Sequence, residues 1–479
     1  MFYTFSNYWL TVTLETLYLV TTIAGVIVVI AGNRNPVKTL AWILLFFLLP
    51  FFGIFFYIFF GMDYTRQRLI SRKKKRKVLA RYSYPHERKS LNDLPDTYRN
   101  LAKYLNHSGQ FPLFSNNKME VFDNGKEKFD RLLADIEHAK HSIHIEYYII
   151  EADEIGNRVK ELLIKKAHEG VEIRLIFDDV GCWKVPVAFF DEMRQAGIQT
   201  ATFLEVRFHR LTSKINFRNH RKIVVIDGKI GYTGGMNIAD RYWKGLEWGI
   251  WKDIHVRIEG NALEALESAF LIDWYFVTRE LLLLKNYVPE GRVLLKGNIN
   301  LQIVTGGPFG EWREILHAYL KLIHTAKDYV YLQTPYFLPE ESLLSALQSA
   351  ALSGVDVRLM IPEKSDTKMA HLATRSYLKS VMKAGVKVYF YQPGFLHSKL
   401  VVADDFVAVL GSTNLDFRSF EHNFEICTFI YDAETAIRLK NLFLEDLKDC
   451  TKINLSRWVK RPLTIRFLES LVRLFSPLL

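Results

Sequence analysis

The sequence has few of the residues that build metal sites or disulfide frameworks. Its three cysteines, Cys182, Cys427 and Cys450, lie far apart and form no C-x-x-C pair. Neither H-E-x-x-H nor a Cys/His cluster with zinc-ligand spacing is present. We therefore expect buried, unreactive thiols in a reducing compartment, and neither a metal ion nor another cofactor.

Positive charge is scarce outside one short stretch. The formal net charge is +11, but eight Lys or Arg and no acidic residue fall within Arg66–Lys77, which leaves about +3 for the rest of the chain. A surface that coats nucleic acid is thus not required. Stacking aromatics interleaved with a basic groove are not evident either, so no nucleic-acid partner is expected.

Long apolar runs are concentrated in the first sixty residues. Thr39–Phe60 has 22 residues without a charge, enough to cross a bilayer as a helix. Thr16–Ala31 becomes long enough only when extended past Glu15 toward Leu10. A signal peptide is the alternative for this first run. Because the first nine residues contain no Lys or Arg and no convincing cleavage site follows, we favour a retained anchor.

These runs predict a two-helix transmembrane hairpin over residues 1–62, followed by a basic juxtamembrane linker over residues 63–119. The positive-inside rule then places the N-terminus and everything after Phe60 in the cytoplasm. The basic run Arg72–Lys77 either recruits anionic lipid headgroups or only fixes this topology, and both readings stay open.

An internal repeat follows the hairpin. Short β-rich runs alternate with helical stretches, which is typical of an α/β fold. Ala139-Lys140, Gly170-Val171 and Ala196-Gly197 recur as Ala326-Lys327, Gly354-Val355 and Ala384-Gly385, 184 to 188 residues later. The repeat predicts two homologous domains, over residues 120–285 and 286–450.

Two copies of the pattern His-x-Lys-x-x-x-x-Asp lie 177 residues apart inside this repeat. Residues i and i+2 of a strand share a face, so each His and its Lys project together, whereas each Asp is better placed to brace the turn. An Asn follows each motif at the same offset, where amide donors could hold phosphate oxygens. The candidate residues are His220, Lys222, Asp227 and Asn237, and His397, Lys399, Asp404 and Asn414.

Two histidines and two lysines that face each other suit phosphodiester exchange. One neutral imidazole would attack phosphorus to give a phosphohistidine, and the other would protonate the departing alcohol. Both lysines would hold the phosphoryl oxygens. Each imidazole also needs a carboxylate on its second nitrogen, and Asp253 and Glu425 follow the motifs by about thirty residues. A lone histidine would more often be a core residue, but the repetition favours catalysis.

The first half carries about eleven extra residues just before its motif. They fall within Arg207–Arg218 and form a basic segment that either meets a lipid phosphate or is an ordinary solvated loop. Its cationic residues are Arg207, His209, Arg210, Lys214 and Arg218.

The paired motifs, with their G-G/S-x-N continuations, resemble the phospholipase D superfamily over roughly residues 120–450. The apolar N-terminal module and the run Thr334–Pro339 resemble bacterial cardiolipin synthases. The resemblance implies two phospholipase D-type domains, each a mixed sheet flanked by helices, packed about a pseudo-twofold axis. It also implies a multi-pass protein of the bacterial cell membrane that converts two phosphatidylglycerols into cardiolipin and glycerol. By resemblance alone, His220 attacks first.

Other functions stay open at this stage. The motif does not fix the acceptor, so a phospholipase D or a phosphatidyltransferase using ethanolamine or serine is the main alternative. A superfamily nuclease or a non-catalytic lipid-binding scaffold fits less well. Nothing identifies a partner protein.

The C-terminal tail, residues 451–479, is predicted to be amphipathic. A helix over Pro462–Phe475 would lie against either the bilayer or the catalytic domains. One face would carry Phe467, Leu468, Leu471, Leu474 and Phe475, and the other Arg466, Glu469, Ser470 and Arg473.

Overall fold

A computed structural model describes residues 2–32, 36–57, 91, 94–206, 216–288, 297–310 and 312–478. The N-terminal helices form one compact unit, and the elements from residue 94 onward form a second, larger one. The basic run Arg72–Lys77 lies outside the described residues. The two units are considered separately below.

The N-terminal unit begins with a 30-residue helix, Phe2–Ala31. Its segment Tyr8–Ala31 is long and apolar enough to cross a membrane, and no other helix in the described ranges meets both conditions. The helix runs through Glu15 without interruption, because one carboxylate does not disturb its backbone hydrogen bonds. The predicted first span is therefore the better defined of the two.

The second apolar run does not form one continuous helix, which corrects the predicted Thr39–Phe60 span. It divides into Pro36–Leu48 and Pro50–Phe56, with Leu49 at φ −143° between them. Pro50 causes the break, since it has no N–H to donate and its ring crowds the preceding turn. Of the described part of this run, only Thr39–Leu48 counts as an apolar helix, and it is short.

The larger unit is an α/β structure built on one mixed sheet. Each half of the repeat contributes seven strands, and the sheet order is β19-β13-β12-β10-β15-β16-β18-β9-β1-β8-β6-β5-β2-β3-β4. The first-half strands of this sheet are β1 (Phe114–Phe122), β2 (Ser142–Tyr147), β3 (Glu172–Asp178), β4 (Gln199–Phe203), β5 (Lys222–Ile226), β6 (Ile230–Gly234) and β8 (His255–Gly260). Those of the second half are β9 (Ile299–Gly306), β10 (Tyr329–Gln333), β12 (Asp356–Pro362), β13 (Lys387–Tyr391), β15 (Leu400–Ala403), β16 (Val407–Gly411) and β18 (Glu425–Tyr431), followed by β19 (Cys450–Lys452).

The order of strands is the same in both halves when read outward from the central β1–β9 pair, apart from an exchange of neighbours beside it. Strands β5 and β6 form a hairpin, and β15 and β16 form its counterpart. Two small parallel pairs complete the strands, β7 (Ile250–Lys252) with β14 (Gly394–Leu396) and β11 (Phe337–Leu338) with β17 (Leu415–Asp416). This arrangement confirms the predicted mixed α/β fold. The domain boundaries at residues 120, 285 and 450 stay predictions.

Helices cover both faces of the sheet. Leu263–Thr278 and Ala433–Asp446 share one apolar cluster on one face. The other face is covered separately in each half. The remaining helices are Asp96–Gly109, Gly125–Glu137, Glu154–His168, Val187–Gln195, Asp240–Lys244, Glu314–Thr325, Glu341–Leu352, Lys368–Lys383, Phe417–Glu421, Leu455–Trp458 and Leu463–Arg473, with 3₁₀ turns at Leu284–Asn286, Leu447–Asp449 and Ser476–Leu478.

The helix Asp96–Gly109 lies within the predicted linker, residues 63–119. Its residues Tyr98, Leu101 and Leu105 are buried in the same cluster as Leu316 of the second half. A spacing of three and four residues places these side chains on one face, and burying that face stabilises the helix on the domain. Residues 94–119 therefore belong to the folded unit and are not a linker.

Candidate active site

The two motif histidines are held by the half of the molecule to which they do not belong. The backbone N–H of His220 donates to the carbonyl of Phe424 at 2.9 Å, and that of His397 donates to the carbonyl of Lys252 at 2.7 Å. The second contact continues the parallel pair β7–β14, and an isolated bridge joins Asn219 to Phe424. Each histidine is thus fixed beside the opposite half.

The predicted carboxylates pair with the histidines in the same crossed manner. Nδ1 of His220 lies 3.1 Å from Oε2 of Glu425, and Nδ1 of His397 lies 2.6 Å from Oδ2 of Asp253. Both carboxylates are fully buried. In each pair Nδ1 is occupied, so Nε2 is the nitrogen left for a substrate.

The sheet register explains why Asp253 and Glu425 occupy matching places. Gly234 at the end of β6 pairs with His255, and Gly411 at the end of β16 pairs with Cys427. Each carboxylate therefore stands two residues before the partner of a terminal glycine. The next residue differs between the halves, as described below.

Gly235 in the first half corresponds to Ser412 in the second. A Cβ at Gly235 would come 2.1 Å from Oδ1 of Asp253, so no larger residue fits there. Ser412 instead donates its hydroxyl to Oε2 of Glu425, the oxygen that faces His220. The carboxylate of the first pair thus has an extra donor from the second half.

The two lysines are buried beside the histidines. Nζ of Lys222 donates to the backbone carbonyl of His220 at 2.6 Å, and Nζ of Lys399 lies 2.9 Å from Nδ1 of His397. Burial lowers the pKa of Lys222 to about 7 and that of Lys399 to about 8, because a buried ammonium loses its hydration. A nearby anion would favour the charged form of both.

The electrostatic effects connect the two motifs. Burial lowers the pKa of both imidazoles, that of His397 further than that of His220. The charge of Lys399 also lowers the pKa of His220, and the charge of Lys222 lowers that of His397. Such mutual effects require short distances, so the two motifs form one site.

The two carboxylates differ in acidity. Burial raises the pKa of Asp253 to about 6, although Lys399 opposes this rise. Burial acts on Glu425 in the same direction, but His220, Lys222 and Ser412 outweigh it and leave the pKa of Glu425 below its ordinary value. Glu425 is therefore the more firmly ionised of the two.

The aspartates of the motifs point away from the histidines and brace the repeat, as parity predicted. Asp227 accepts from the backbone N–H groups of Lys140, His141 and Ser142, which lead into β2. Asp404 accepts from Lys327, Asp328 and Tyr329, which lead into β10, and from the hydroxyl of Tyr98. Both have positive φ, 52° and 49°, which Asp tolerates in a turn.

The two asparagines are less available to phosphate than predicted. Asn237 accepts from the N–H of Ile149 at 3.2 Å and donates to the hydroxyl of Tyr242 at 2.7 Å. Both ends of this amide are used, so Asn237 supports the site structurally. Asn414 is buried and hydrogen-bonds Asp416.

Aromatic side chains around the histidines were not identified from the sequence. The ring of Tyr148 meets His220 edge-on at 5.1 Å between centroids. Trp251 and Tyr242 lie 5.2 and 5.9 Å from His397. Trp251 stands two residues before Asp253, so the period of the strand could have indicated it.

Arg218 is the described member of the predicted basic loop before His220. It is buried and forms an ion pair with Asp178 at 3.3 Å, which makes a solvated or substrate-binding role wrong for this residue. Residues 207–215 lie outside the described part of the chain. Among the described residues, no group of three or more His, Cys, Asp or Glu side chains could hold a metal ion. Metal-independent catalysis stays a prediction.

Comparison with known proteins gives this site a family. A family model described as cardiolipin synthase, PLD-like domain, matches residues 132–271 and 319–447, which contain both motifs and both carboxylates. The chain belongs to the cardiolipin synthase family. A second model, described as phospholipase D-nuclease N-terminal, matches residues 20–61. The resemblance stated from the sequence is confirmed.

Full-length relatives agree with this assignment. The cardiolipin synthase of Geobacillus sp. (strain WCH70) is 40% identical over 451 residues, which cover 93% of this chain and 90% of that protein. The major cardiolipin synthase ClsA of Bacillus subtilis (strain 168) is 38% identical over 478 residues, 97% of this chain and 98% of that protein. The similarity therefore includes the N-terminal helices as well as the sheet.

A solved structure supports the fold. The crystal structure of phosphatidylserine synthase from Haemophilus influenzae Rd KW20 matches with a TM-score of 0.62 over 80% of this chain and 100% of that chain, at 16% identity. At this identity the likeness concerns the fold alone. It confirms the phospholipase D-like arrangement of two α/β halves.

Proposed function

We propose that this member of the cardiolipin synthase family transfers a phosphatidyl group from one phosphatidylglycerol to a second, releasing glycerol and forming cardiolipin. The observation that carries the mechanism is the crossed pair of contacts, His220 with Glu425 and His397 with Asp253. The names of the relatives support the substrate and the product.

In the first step, Nε2 of His220 attacks the phosphorus of one phosphatidylglycerol and the phosphorus–oxygen bond to the terminal glycerol breaks. His397 gives a proton to the departing glycerol oxygen. In the second step, His397 removes a proton from a hydroxyl of the second phosphatidylglycerol. That oxygen attacks phosphorus and releases His220. One phosphodiester replaces another, so no activated donor is consumed.

The asymmetry of the carboxylates supports His220 as the nucleophile. An attacking imidazole acquires positive charge, and an ionised carboxylate on Nδ1 stabilises that charge. The low pKa of Glu425 and its bond from Ser412 fit this role better than Asp253, whose pKa is about 6. Asp253 would instead keep His397 oriented while it donates and accepts the proton.

The lysines would bind the phosphodiester. Its negative charge would raise the pKa of Lys222 and of Lys399, so that both are charged when substrate is present. Two ammonium groups then stabilise the charge that builds up on the equatorial oxygens. This step uses only groups of the chain, which is why we predict that chelators have no effect.

We also propose a multi-pass membrane protein whose catalytic unit lies in the cytoplasm, facing an anionic phospholipid bilayer. The helix Tyr8–Ala31 and the shorter apolar helix Thr39–Leu48 support membrane association. The basic residues of Arg66–Lys77 support the orientation. Labelling of single cysteines placed at residue 34 and residue 92 by an impermeant reagent on intact cells tests it. Label at residue 92 would refute the orientation.

The function is tested with purified full-length enzyme in detergent, given phosphatidylglycerol with labelled glycerol and a chelator. We expect cardiolipin and free glycerol in equal amounts, and no turnover by His220→Ala or His397→Ala. Phosphatidic acid without cardiolipin would favour a phospholipase D. Transfer to added ethanolamine or serine in preference to phosphatidylglycerol would favour another acceptor, and full activity of either variant would refute the paired mechanism.

A further inference from the structure

The C-terminal helix Leu463–Arg473 docks on the larger unit with its charged face. It packs along the helix Lys368–Lys383. Its only carboxylate, that of Glu469, is buried and accepts two hydrogen bonds from Arg461, at 2.6 and 2.8 Å. Arg375 of the supporting helix lies 3.4 Å from the same carboxylate. A buried, paired charge at this contact fixes the rotation of the C-terminal helix.

A second contact fixes the other end of this helix. The guanidinium of Arg473 lies 4.2 Å from the centre of the Tyr377 ring, on the supporting helix. Val472 is the apolar side chain of the helix that is buried there. An ordinary surface helix buries its apolar stripe and exposes its charges, and this one does the opposite.

The apolar stripe consequently faces outward. Leu463, Phe467 and Leu474 are 76%, 71% and 73% exposed, and Ile465, Leu468, Leu471 and Phe475 are also exposed. Single exposed apolar side chains are common on protein surfaces, but a contiguous row on one helix marks a contact surface. We call this row the C-terminal apolar face.

The charges around the face point to an anionic partner. Residues 451–479 contain six Lys or Arg and one acidic residue, which is the buried Glu469. Lys452, Arg457 and Lys460 are exposed just before the helix. A second copy of the chain would bring two such basic segments together, whereas anionic headgroups would neutralise them.

We propose that the C-terminal apolar face inserts into the surface of an anionic phospholipid bilayer, parallel to the membrane plane, and so holds the catalytic unit against its substrate. The chemistry matches an interfacial helix, with an apolar stripe flanked by basic residues. This inference rests on the proposed function only for the identity of that bilayer as the source of substrate.

The position of the chain end links this face to the active site. The 3₁₀ turn Ser476–Leu478, directly after the helix, packs on the helix Phe417–Glu421. That helix begins three residues after Asn414, at the end of the second motif. Binding of the C-terminal apolar face would therefore bring this side of the active site close to the headgroups.

Lipid contact is tested with the full-length enzyme in vesicles, carrying an environment-sensitive fluorophore at Phe467→Cys. Leu352→Cys is the matched control, because Leu352 is 74% exposed on a different helix. Both variants carry Cys450→Ser, since Cys182 and Cys427 are buried and do not label. Nitroxide-bearing lipid is then added to vesicles of equal parts phosphatidylglycerol and phosphatidylcholine.

We expect quenching at residue 467 to be several-fold stronger than at residue 352, and to decrease in vesicles of phosphatidylcholine alone. Equal quenching at both positions would overturn the proposal. So would a crosslink between two copies through residue 467 without quenching. Quenching that ignores the anionic lipid would overturn the choice of partner. None of these results depends on turnover, so a failure of the proposed function is recognised separately by absent cardiolipin.

Activity gives an independent measure. The double variant Phe467→Asp and Leu471→Asp should form cardiolipin about tenfold more slowly on phosphatidylglycerol vesicles, because it docks less often. Its rate on phosphatidylglycerol in detergent micelles should equal that of the wild type, which also shows that it folds. Leu352→Asp should match the wild type on both. An equal loss in vesicles and micelles would contradict a membrane role.

Discussion

Replacing Glu425 by Gln tests both the crossed pairing and the choice of nucleophile. The amide keeps the shape of the side chain and its contact with Ser412, but it removes the charge. Its NH₂ group would also donate to Nδ1 of His220, which places the imidazole proton on Nε2. The lone pair needed to attack phosphorus would then point away from the substrate.

The expected loss follows from this change of tautomer. Holding a catalytic imidazole in the wrong tautomer costs about 10³- to 10⁴-fold in kcat, or about 4 to 5.5 kcal/mol. Glu425 is buried and hydrogen-bonds both His220 and Ser412, so water cannot easily replace it. We therefore expect the full loss.

The assay separates attack on phosphorus from protonation of the leaving group. A phosphatidyl ester of p-nitrophenol has a leaving group that needs no acid, so its release reports attack alone. Glu425→Gln should show no rapid release and no phosphohistidine on the peptide that contains His220. Asp253→Asn is the matched control, and it should release p-nitrophenol at nearly the wild-type rate but use phosphatidylglycerol poorly.

The opposite pattern would refute the reasoning. If Asp253→Asn blocked the release of p-nitrophenol and Glu425→Gln did not, His397 would be the nucleophile. If each variant impaired the histidine of its own half, the crossed contacts at 3.1 and 2.6 Å would not exist in the working enzyme.

Three further predictions concern acidity, bracing and space. Since Lys222 and Lys399 have pKa values of about 7 and 8 and must be charged, kcat/KM should fall as pH rises from 7 to 9, and kcat at saturating substrate should fall only at higher pH; coincident limbs would contradict this. Asp404→Asn should lower the thermal midpoint by several degrees, for a loss of about 2 kcal/mol, and leave kcat in the cold within about threefold; a lost kcat at an unchanged midpoint would contradict a bracing role. Gly235→Ala should nearly abolish turnover, whereas Ser412→Ala should cost about tenfold or less; equal effects on kcat would show that the 2.1 Å approach is not limiting.

The motif residues were predictable because their chemistry and their geometry both repeat with the period of a strand. His220 and Lys222 are two residues apart, so they had to share a face, and Asp227 had to lie off it. The structure places Asp227 on the backbone entering β2, as this parity indicated. The roles in catalysis still require the variants described above.

The pairing of histidine and carboxylate could not be obtained from the sequence. Asp253 and Glu425 each follow a motif by about thirty residues, and that distance is the same whether a carboxylate serves its own half or the other. The crossing depends on β7 pairing with β14, a contact between segments more than 140 residues apart that no local pattern encodes. Symmetry alone left both pairings possible.

Two departures from the predictions have local causes. Pro50 was read within an uninterrupted apolar run because hydropathy does not register a missing N–H, yet the helix ends at Leu48. The direction of the C-terminal helix was open because its stripe was identified correctly but its partners were not. Arg375 and Tyr377, which select the charged face, lie almost a hundred residues earlier in the chain.

The crossed contacts give a physical reason for both halves to stay in one chain. Either half alone would keep a histidine and a lysine but lose the carboxylate that orients the imidazole, and it would leave that half's own carboxylate buried and unpaired. An unpaired buried charge costs several kcal/mol, so a separated half would lose stability as well as activity. Two halves that are each incomplete can then diverge, as Gly235 and Ser412 have done, until one histidine suits attack and the other suits proton transfer.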